Sequence, residues 1–250
     1  MRASKLIVAA LPWVLACACA HASELRVQGG RWDYKVTGFE EDHGNHTDLD
    51  SDLGVGTQHD GFIQFEYEHR PSWLPDIGAS YTQISGAGSQ TTSGAVPLPL
   101  PLPLPPPVGG STLTAKGDFD DVDGVLRYAI GLGPLQISPG VTVKWLRGEV
   151  VTRDSSSGGE THQSYQQVFP MLHAQIAWPI GTWLRVSAQG SWIARGDDSA
   201  YQIGAAAEAR VLGPLGLYGG WLAKRYKVRD NEAALDARLA GFRFGLIVVF

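Results

Sequence analysis

The sequence predicts an all-β fold, a transmembrane antiparallel up-and-down β-barrel of ten strands. Three observations lead there. Beyond residue 24 apolar and polar side chains alternate with a period of two in stretch after stretch, with almost no helical period. The connections between these stretches alternate between short proline-containing turns and mostly longer polar loops. Aromatic residues gather near both ends of the stretches, the two heights at which membrane-interface girdles form.

Composition sets the frame. The 250 residues are 44% hydrophobic and 18% charged, with 31 Gly, which excludes a disordered chain and a helical membrane protein. A net charge of −5 gives no general attraction to nucleic acid. Residues 1–22 read as a cleaved signal peptide: Arg2 and Lys5 precede the apolar run 6–20, and Ala20-His21-Ala22 fits a small-x-small cleavage site. Cleavage leaves residues 23–250 as one barrel domain. It removes Arg2, Lys5 and both cysteines, Cys17 and Cys19, so the net charge of −5 becomes −7 and no disulfide or thiolate metal site remains.

In chain order, the alternation first becomes clear at 63–68, where Ile63, Phe65 and Tyr67 oppose Gln64, Glu66 and Glu68. Earlier, the facing of the first strand changes at Gly29-Gly30, which predicts a bulge there. The turn RPSWLPD (70–76) follows, then the long connection 87–117. In 122–130, Val122, Leu126, Tyr128 and Ile130 oppose Asp121, Asp123 and Arg127. If the next turn centres near Gly133-Pro134, Asp123 falls opposite Lys144 and Asp120 opposite Arg147. Pro170 interrupts the sixth strand and predicts a second bulge. In 183–195, Leu184, Val186, Ala188 and Trp192 oppose Arg185, Ser187, Gln189 and Ser191. In 200–211, Ile203, Ala205 and Ala207 oppose Gln202, Gly204, Glu208 and Arg210. The ninth strand, after the turn LGPLG (212–216), shows no assignable facing.

The last strand is the clearest. Phe242, Phe244, Leu246, Val248 and Phe250 share one face, and Arg243, Gly241 and Gly245 share the other. The aromatic face suits lipid, and the arginine and glycines suit a crowded interior. Four short turns and five outer connections give ten strands of roughly 10–14 residues, long enough for a tilted membrane crossing. Trp73, Trp178 and Trp183 then mark the periplasmic interface, and Trp32, Tyr34, Tyr165, Tyr201 and Tyr226 the outer one.

This terminal pattern resembles the C-terminal signature that the insertion machinery of bacterial outer-membrane barrels reads. Over most of residues 24–250 the chain resembles a proteobacterial family of small barrels known only as outer-membrane proteins. The residues that carry this resemblance are Asp48 through Gly54, FEYEHRPSWLPDIGASY (65–81), Asp118 through Tyr128, VFPML (168–172) and the terminal Phe. It implies the outer membrane of a Gram-negative bacterium and no assigned activity. The Pro-Leu stretch at about 95–110 departs from the family pattern and reads as an insertion in an outer loop. Its eleven residues 97–107 would form a polyproline rod of roughly 34 Å.

Three constellations bear on function. The first outer loop collects Glu40, Glu41, Asp42, Asp48, Asp50 and Asp52 with His43 and His46, but a calcium loop would need glycine where Leu53 stands. Asp118, Asp120, Asp121 and Asp123 with His43, His46, His59 or His162 resemble the Asp–Asp and Asp–His pairs at the rim of omptin proteases, ten-stranded barrels. His162-Gln163-Ser164 resembles the H-x-S element of lipid A deacylases, yet the acid expected about twelve residues on is replaced by Ile176. The third constellation is an inward set of mixed charge: Glu66, Glu68, Asp121, Asp123, Arg127, Lys144, His173, Arg185, Glu208, Arg210 and Arg243. Such a set is expected to pair and plug the lumen.

The expected function is therefore structural and surface-interacting: a monomeric barrel with a closed polar lumen, whose loops contact lipopolysaccharide. A narrow solute channel and a rim hydrolase, either a protease or a lipid A-modifying enzyme, stand as alternatives. No cofactor, catalytic set or metal set is assigned.

Overall fold

The computed structural model of the chain describes residues 24–42, 45–48, 56–69, 73–91, 112–154, 159–195, 198–229 and 233–250. The expected signal peptide, the Pro-Leu stretch, His43, Asp50 and Asp52 lie outside the described residues. Glu40, Glu41, Asp42, His46 and Asp48 are described in their backbone only.

The strands are β1 Glu24–Asp42, β2 Asn45–Asp48, β3 Thr57–Glu68, β4 Asp76–Thr91, β5 Thr112–Arg127, β6 Ile130–Leu132, β7 Leu135–Asp154, β8 Glu160–Ile180, β9 Leu184–Arg195, β10 Asp198–Leu212, β11 Leu215–Arg229 and β12 Ala233–Val249. β2 and β6 are short pieces that pair with the ends of β1 and β7. The other ten strands form a closed antiparallel barrel in which each pairs with its sequence neighbours and β12 returns to β1. Over the height that all ten strands share, closure leaves no strand edge unpaired, which matters where no water can satisfy backbone groups.

That closing seam depends on glycine. Gly30 lies opposite Gly245 and Tyr34 opposite Gly241. A Cβ on Gly30 would fall on the carbonyl oxygen of Phe244, and one on Gly245 on that of Gly29. The inward faces of β1 and β12 are pressed too closely for any side chain there.

β3 and β9, at 12 residues, match the expected 10–14, and the other eight wall strands, at 15 to 21, exceed it because they continue past the loop end of the barrel. The extensions form two tall walls. β4, β5, β7 and β8 stay paired up to Thr91↔Thr112, Leu113↔Asp154 and Arg153↔Glu160. β1 and β12 stay paired up to Asp42↔Ala233. Between the walls the ladders stop early, at Phe62↔Thr82 between β3 and β4 and at Leu172↔Trp192 between β8 and β9. Side chains take over at the first of these seams. The Asp60 carboxylate accepts the Ser85 N–H (2.8 Å), the Ser85 hydroxyl (2.7 Å) and the Tyr34 hydroxyl (2.5 Å). The one Tyr34 proton is shared with the Ser85 carbonyl at 2.9 Å, so both backbone groups of Ser85 have a partner without a rung.

Neither predicted bulge is present. The register runs unbroken through Gly29 and Gly30, and Arg26, Gln28, Trp32 and Tyr34 all lie buried on one inward face. The facing does not switch; two inward aromatics had mimicked a switch. Pro170 stays in register opposite Val143 and sits beyond the last rung to β9, where a missing N–H interrupts no ladder. Among the described residues the ladder register shifts in β10, between Arg210 and Leu212.

Outside, Phe242, Phe244, Leu246, Leu172, Val211 and Leu126 are exposed in a band around the barrel, and Trp73, Trp178 and Trp183 are exposed beside the short turns. Trp32, Tyr34 and Tyr226 are not girdle residues: they are 0%, 1% and 8% exposed and point inward.

Candidate functional site

The interior gathers charged side chains from most of the strands on their inward face, and it has two storeys. The storey nearest the short turns is ionic. Glu68 accepts from Arg26 at 2.6 Å and pairs with Arg185 at 2.8 Å, while Glu66 pairs with Arg127 at 3.1 Å. Glu208 accepts from Gln28 at 2.8 Å and lies 3.7 Å from Arg26. Higher up, Lys144 bridges Asp121 (2.8 Å) and Asp123 (2.6 Å), and Lys224 reaches the other oxygen of Asp121 at 2.5 Å. Asp123 stands opposite Lys144 and Asp120 opposite Arg147 in the ladder. Buried charges are tolerated only when paired and hydrogen-bonded in this way.

Arg243 is the exception. It is buried, stacks over the Phe62 ring at 3.6 Å, and has no hydrogen-bond partner for Nε or one Nη among the described residues. Two cavities of about 30 Å³ and 20 Å³ adjoin it, each with room for one or two waters.

Above the ions the interior becomes apolar. Trp32, Tyr34, Phe62, Ile84, Met171, Leu222, Tyr226 and Leu239 form one cluster, with Val36, Phe119, Phe169 and Ile193 packed on it. The expectation of a polar lumen therefore holds for the turn half only. The apolar half was hidden because inward aromatics look like lipid-facing ones in a single sequence.

Of the inward residues named from the sequence, Glu66, Asp121, Asp123, Arg127, Lys144, His173, Arg185, Glu208 and Arg243 are buried in the lumen, and Glu68 is nearly so. Arg210 is corrected: it sits exposed at the turn-end mouth and pairs with Glu24 at 2.8 Å, because the strand is ending there. That mouth holds a cavity of about 240 Å³. Sequence reasoning missed Arg26, Gln28, Asp76 and Lys224. The period of two would have found the first two once Trp32 and Tyr34 are read as inward. Of the C-terminal set, Phe242, Phe244, Leu246 and Phe250 face outward and exposed, and Val248 is half-buried.

The rim does not assemble a catalytic group from these acids. Asp118 and Asp120 lie on the outward face, where Lys116 pairs with Asp118 and Tyr81 donates to Asp120 at 2.6 Å. Asp121 and Asp123 lie on the inward face, already held by lysines. Two histidines do meet carboxylates among the described residues, His59 with Asp33 at 2.8 Å and His162 with Glu149 at 2.7 Å, both on the outer wall. The contact with Glu149, aided by Glu160 at 3.2 Å, raises the pKa of His162. Ser164 shares the outward face of His162. Among the described residues no group of three or more His, Cys, Asp or Glu could hold a metal ion.

Among solved structures the chain is similar to the outer-membrane protease OmpT of Escherichia coli, with a TM-score of 0.61 at 10% identity, covering 93% of this chain and 100% of that one. It also matches the translocator domain of the autotransporter NalP from Neisseria meningitidis (TM-score 0.46, 10% identity, 96% and 95% covered). A third match is Ail, the attachment invasion locus protein of Yersinia pestis (TM-score 0.35, 9% identity, 92% and 100% covered). At this identity the OmpT match shows the fold alone, that of bacterial outer-membrane barrels. No family model matches the sequence, and no curated protein matches it.

Proposed function

We propose that this chain is an integral outer-membrane protein of a Gram-negative bacterium that serves as a structural and surface-interacting barrel with a shut lumen. The short turns face the periplasm and the tall walls and loops face outward. The observation that carries the reading is the filled interior. A paired ionic storey lies beneath an apolar storey, and the cavities beside Arg243 hold a few waters at most. Barrels of eight strands are filled by side chains and open channels belong to 16–18 strands, so ten strands fit a plug better than a pore.

With passage blocked, interaction at the outer surface remains: lipopolysaccharide around the wall and other molecules at the loops. The exposed apolar face of β12, with Phe242, Phe244 and Leu246, serves insertion, and closure of β12 on β1 suits a monomer. The resemblance to small proteobacterial outer-membrane barrels agrees with this reading. A rim hydrolase has less support, since the His–carboxylate pairs lie on the outer wall and the acids named for it lie on two faces.

The test combines two measurements on cells that express the protein. Outer-membrane fractions run unboiled should migrate faster than boiled ones, and protease added to intact cells should cut only in the long loops. A soluble periplasmic protein with no mobility shift would overturn the proposal.

A further inference from the structure

Most cations on the outward face have an acid beside them: Arg31 with Asp33, Lys116 with Asp118, Arg153 with Glu160. One region departs from this. On adjacent strands Arg238 lies directly opposite Arg225, an arrangement of like charges that is destabilising in isolation. Asp236 is used up by Arg225, which donates to both of its oxygens. Lys227 lies opposite Asp236, and Lys35 stands on the other neighbouring strand, two residues below the partner of Arg238. Arg238 is exposed and has no ion-pair partner among the described residues. Among the described residues Arg225, Lys227 and Arg238 thus share one acid, Asp236, on a chain whose net charge is −5.

Height gives the patch its meaning. Directly beneath it on β12 the outward face carries Phe242, Phe244 and Leu246, all exposed. Arg238 lies eleven residues above Val249, so a strand rise of about 3.4 Å and a tilt of about 40° put it roughly 28 Å above the turn end. The apolar band of such barrels is about 25 Å tall. The cations therefore begin where the hydrocarbon ends, with aromatic and aliphatic surface immediately below.

We infer that the outward face of β11, β12 and β1 around Arg238 and Lys227 is a docking site for the phosphorylated headgroup of a lipid in the outer leaflet. The guanidinium groups take the phosphate, and Phe242, Phe244 and Leu246 take the acyl chains. The bound phosphate supplies the missing counter-charge between Arg225 and Arg238. This rests on the outer-membrane reading proposed above.

The test uses the full barrel in detergent micelles and measures binding of bisphosphorylated lipid A, its dephosphorylated form and inorganic phosphate. The wild type should bind lipid A at least tenfold more tightly than the dephosphorylated form, and inorganic phosphate at millimolar concentration should not displace it. Arg238→Glu with Lys227→Glu should weaken lipid A binding at least tenfold. Lys116→Glu, on the opposite wall, should leave it unchanged. Arg238→Ala alone gives a milder loss and covers the case in which the double variant fails to show the heat-modifiable band. Equal binding by wild type and variants, an equal loss in Lys116→Glu, or full displacement by inorganic phosphate would overturn the inference. A wild type that is heat-modifiable in the outer membrane but binds no lipid A overturns the inference alone, whereas a soluble protein overturns the reading beneath it.

Discussion

Asp121 holds the centre of the lumen, and its substitution probes the physics of the plug. The carboxylate is 1% exposed, accepts from Lys144 at 2.8 Å and from Lys224 at 2.5 Å, and has the Tyr226 hydroxyl at 3.4 Å. In Asp121→Asn, Lys144 keeps Asp123 at 2.6 Å, but Lys224 loses its only ion-pair partner among the described residues while staying buried. Stripping one member from a buried pair costs about 3–5 kcal/mol, roughly a 10²–10⁴-fold fall in the folding equilibrium. Removing the stranded charge as well, in Asp121→Asn with Lys224→Met, should recover most of the loss. Urea-dependent folding into lipid vesicles, followed by tryptophan fluorescence, measures both. A cost below about 1 kcal/mol for the single variant, or no recovery in the double, would refute the reasoning: Lys224 would then be solvated and the lumen wet.

Three further predictions address other parts of the molecule. Asp60→Ala removes the acceptor for the Ser85 N–H, at about 1–3 kcal/mol for a group left unpaired, while the Tyr34 hydroxyl keeps the Ser85 carbonyl; hydrogen exchange at Ser85 should accelerate while that of β7 and β8 stays slow. Gly245→Ala drives a Cβ into the Gly29 carbonyl and forces the closing seam apart, an overpacking cost of about 1–3 kcal/mol that should lower the temperature at which the unboiled band is lost. His162 lies in the part of the β7–β8 hairpin beyond the apolar band, and its pKa is raised, first by the hydrogen bond with Glu149. A raised histidine adds stability that is complete below its unfolded value of about 6.5 and is lost as pH rises through the folded value. After correction for intrinsic rates, amides around 160–164 should therefore lose protection as pH is raised from 6 toward 8, and Glu149→Gln should weaken that dependence, leaving the smaller part that Glu160 supplies.

Much of the architecture was legible because membrane barrels write their facing into every second residue. The alternation at 122–130 and the turn at Gly133-Pro134 were enough to align β5 with β7. The same rule failed where the interior stops being polar. Trp32 and Tyr34 point inward into an apolar storey, so a reader who equates apolar with lipid sees a false switch at Gly29-Gly30 and loses Arg26 and Gln28. Lys224 was hidden because Gly219, Gly220 and Ala223 carry too little side chain to show a period. The Asp60–Ser85 tether joins residues 25 apart across a seam whose early end depends on the heights of the two walls, and no local pattern records that. The cation patch around Arg238 needs three strands in register before it exists.

The most direct test of the shut lumen is single-channel conductance of the purified barrel in a planar bilayer. The account predicts insertion without stable conductance steps, since the apolar storey from Trp32 to Leu239 leaves ions no hydrated path. Reproducible ohmic steps that change when Arg243 or Lys144 is substituted would contradict it and establish a channel in its place.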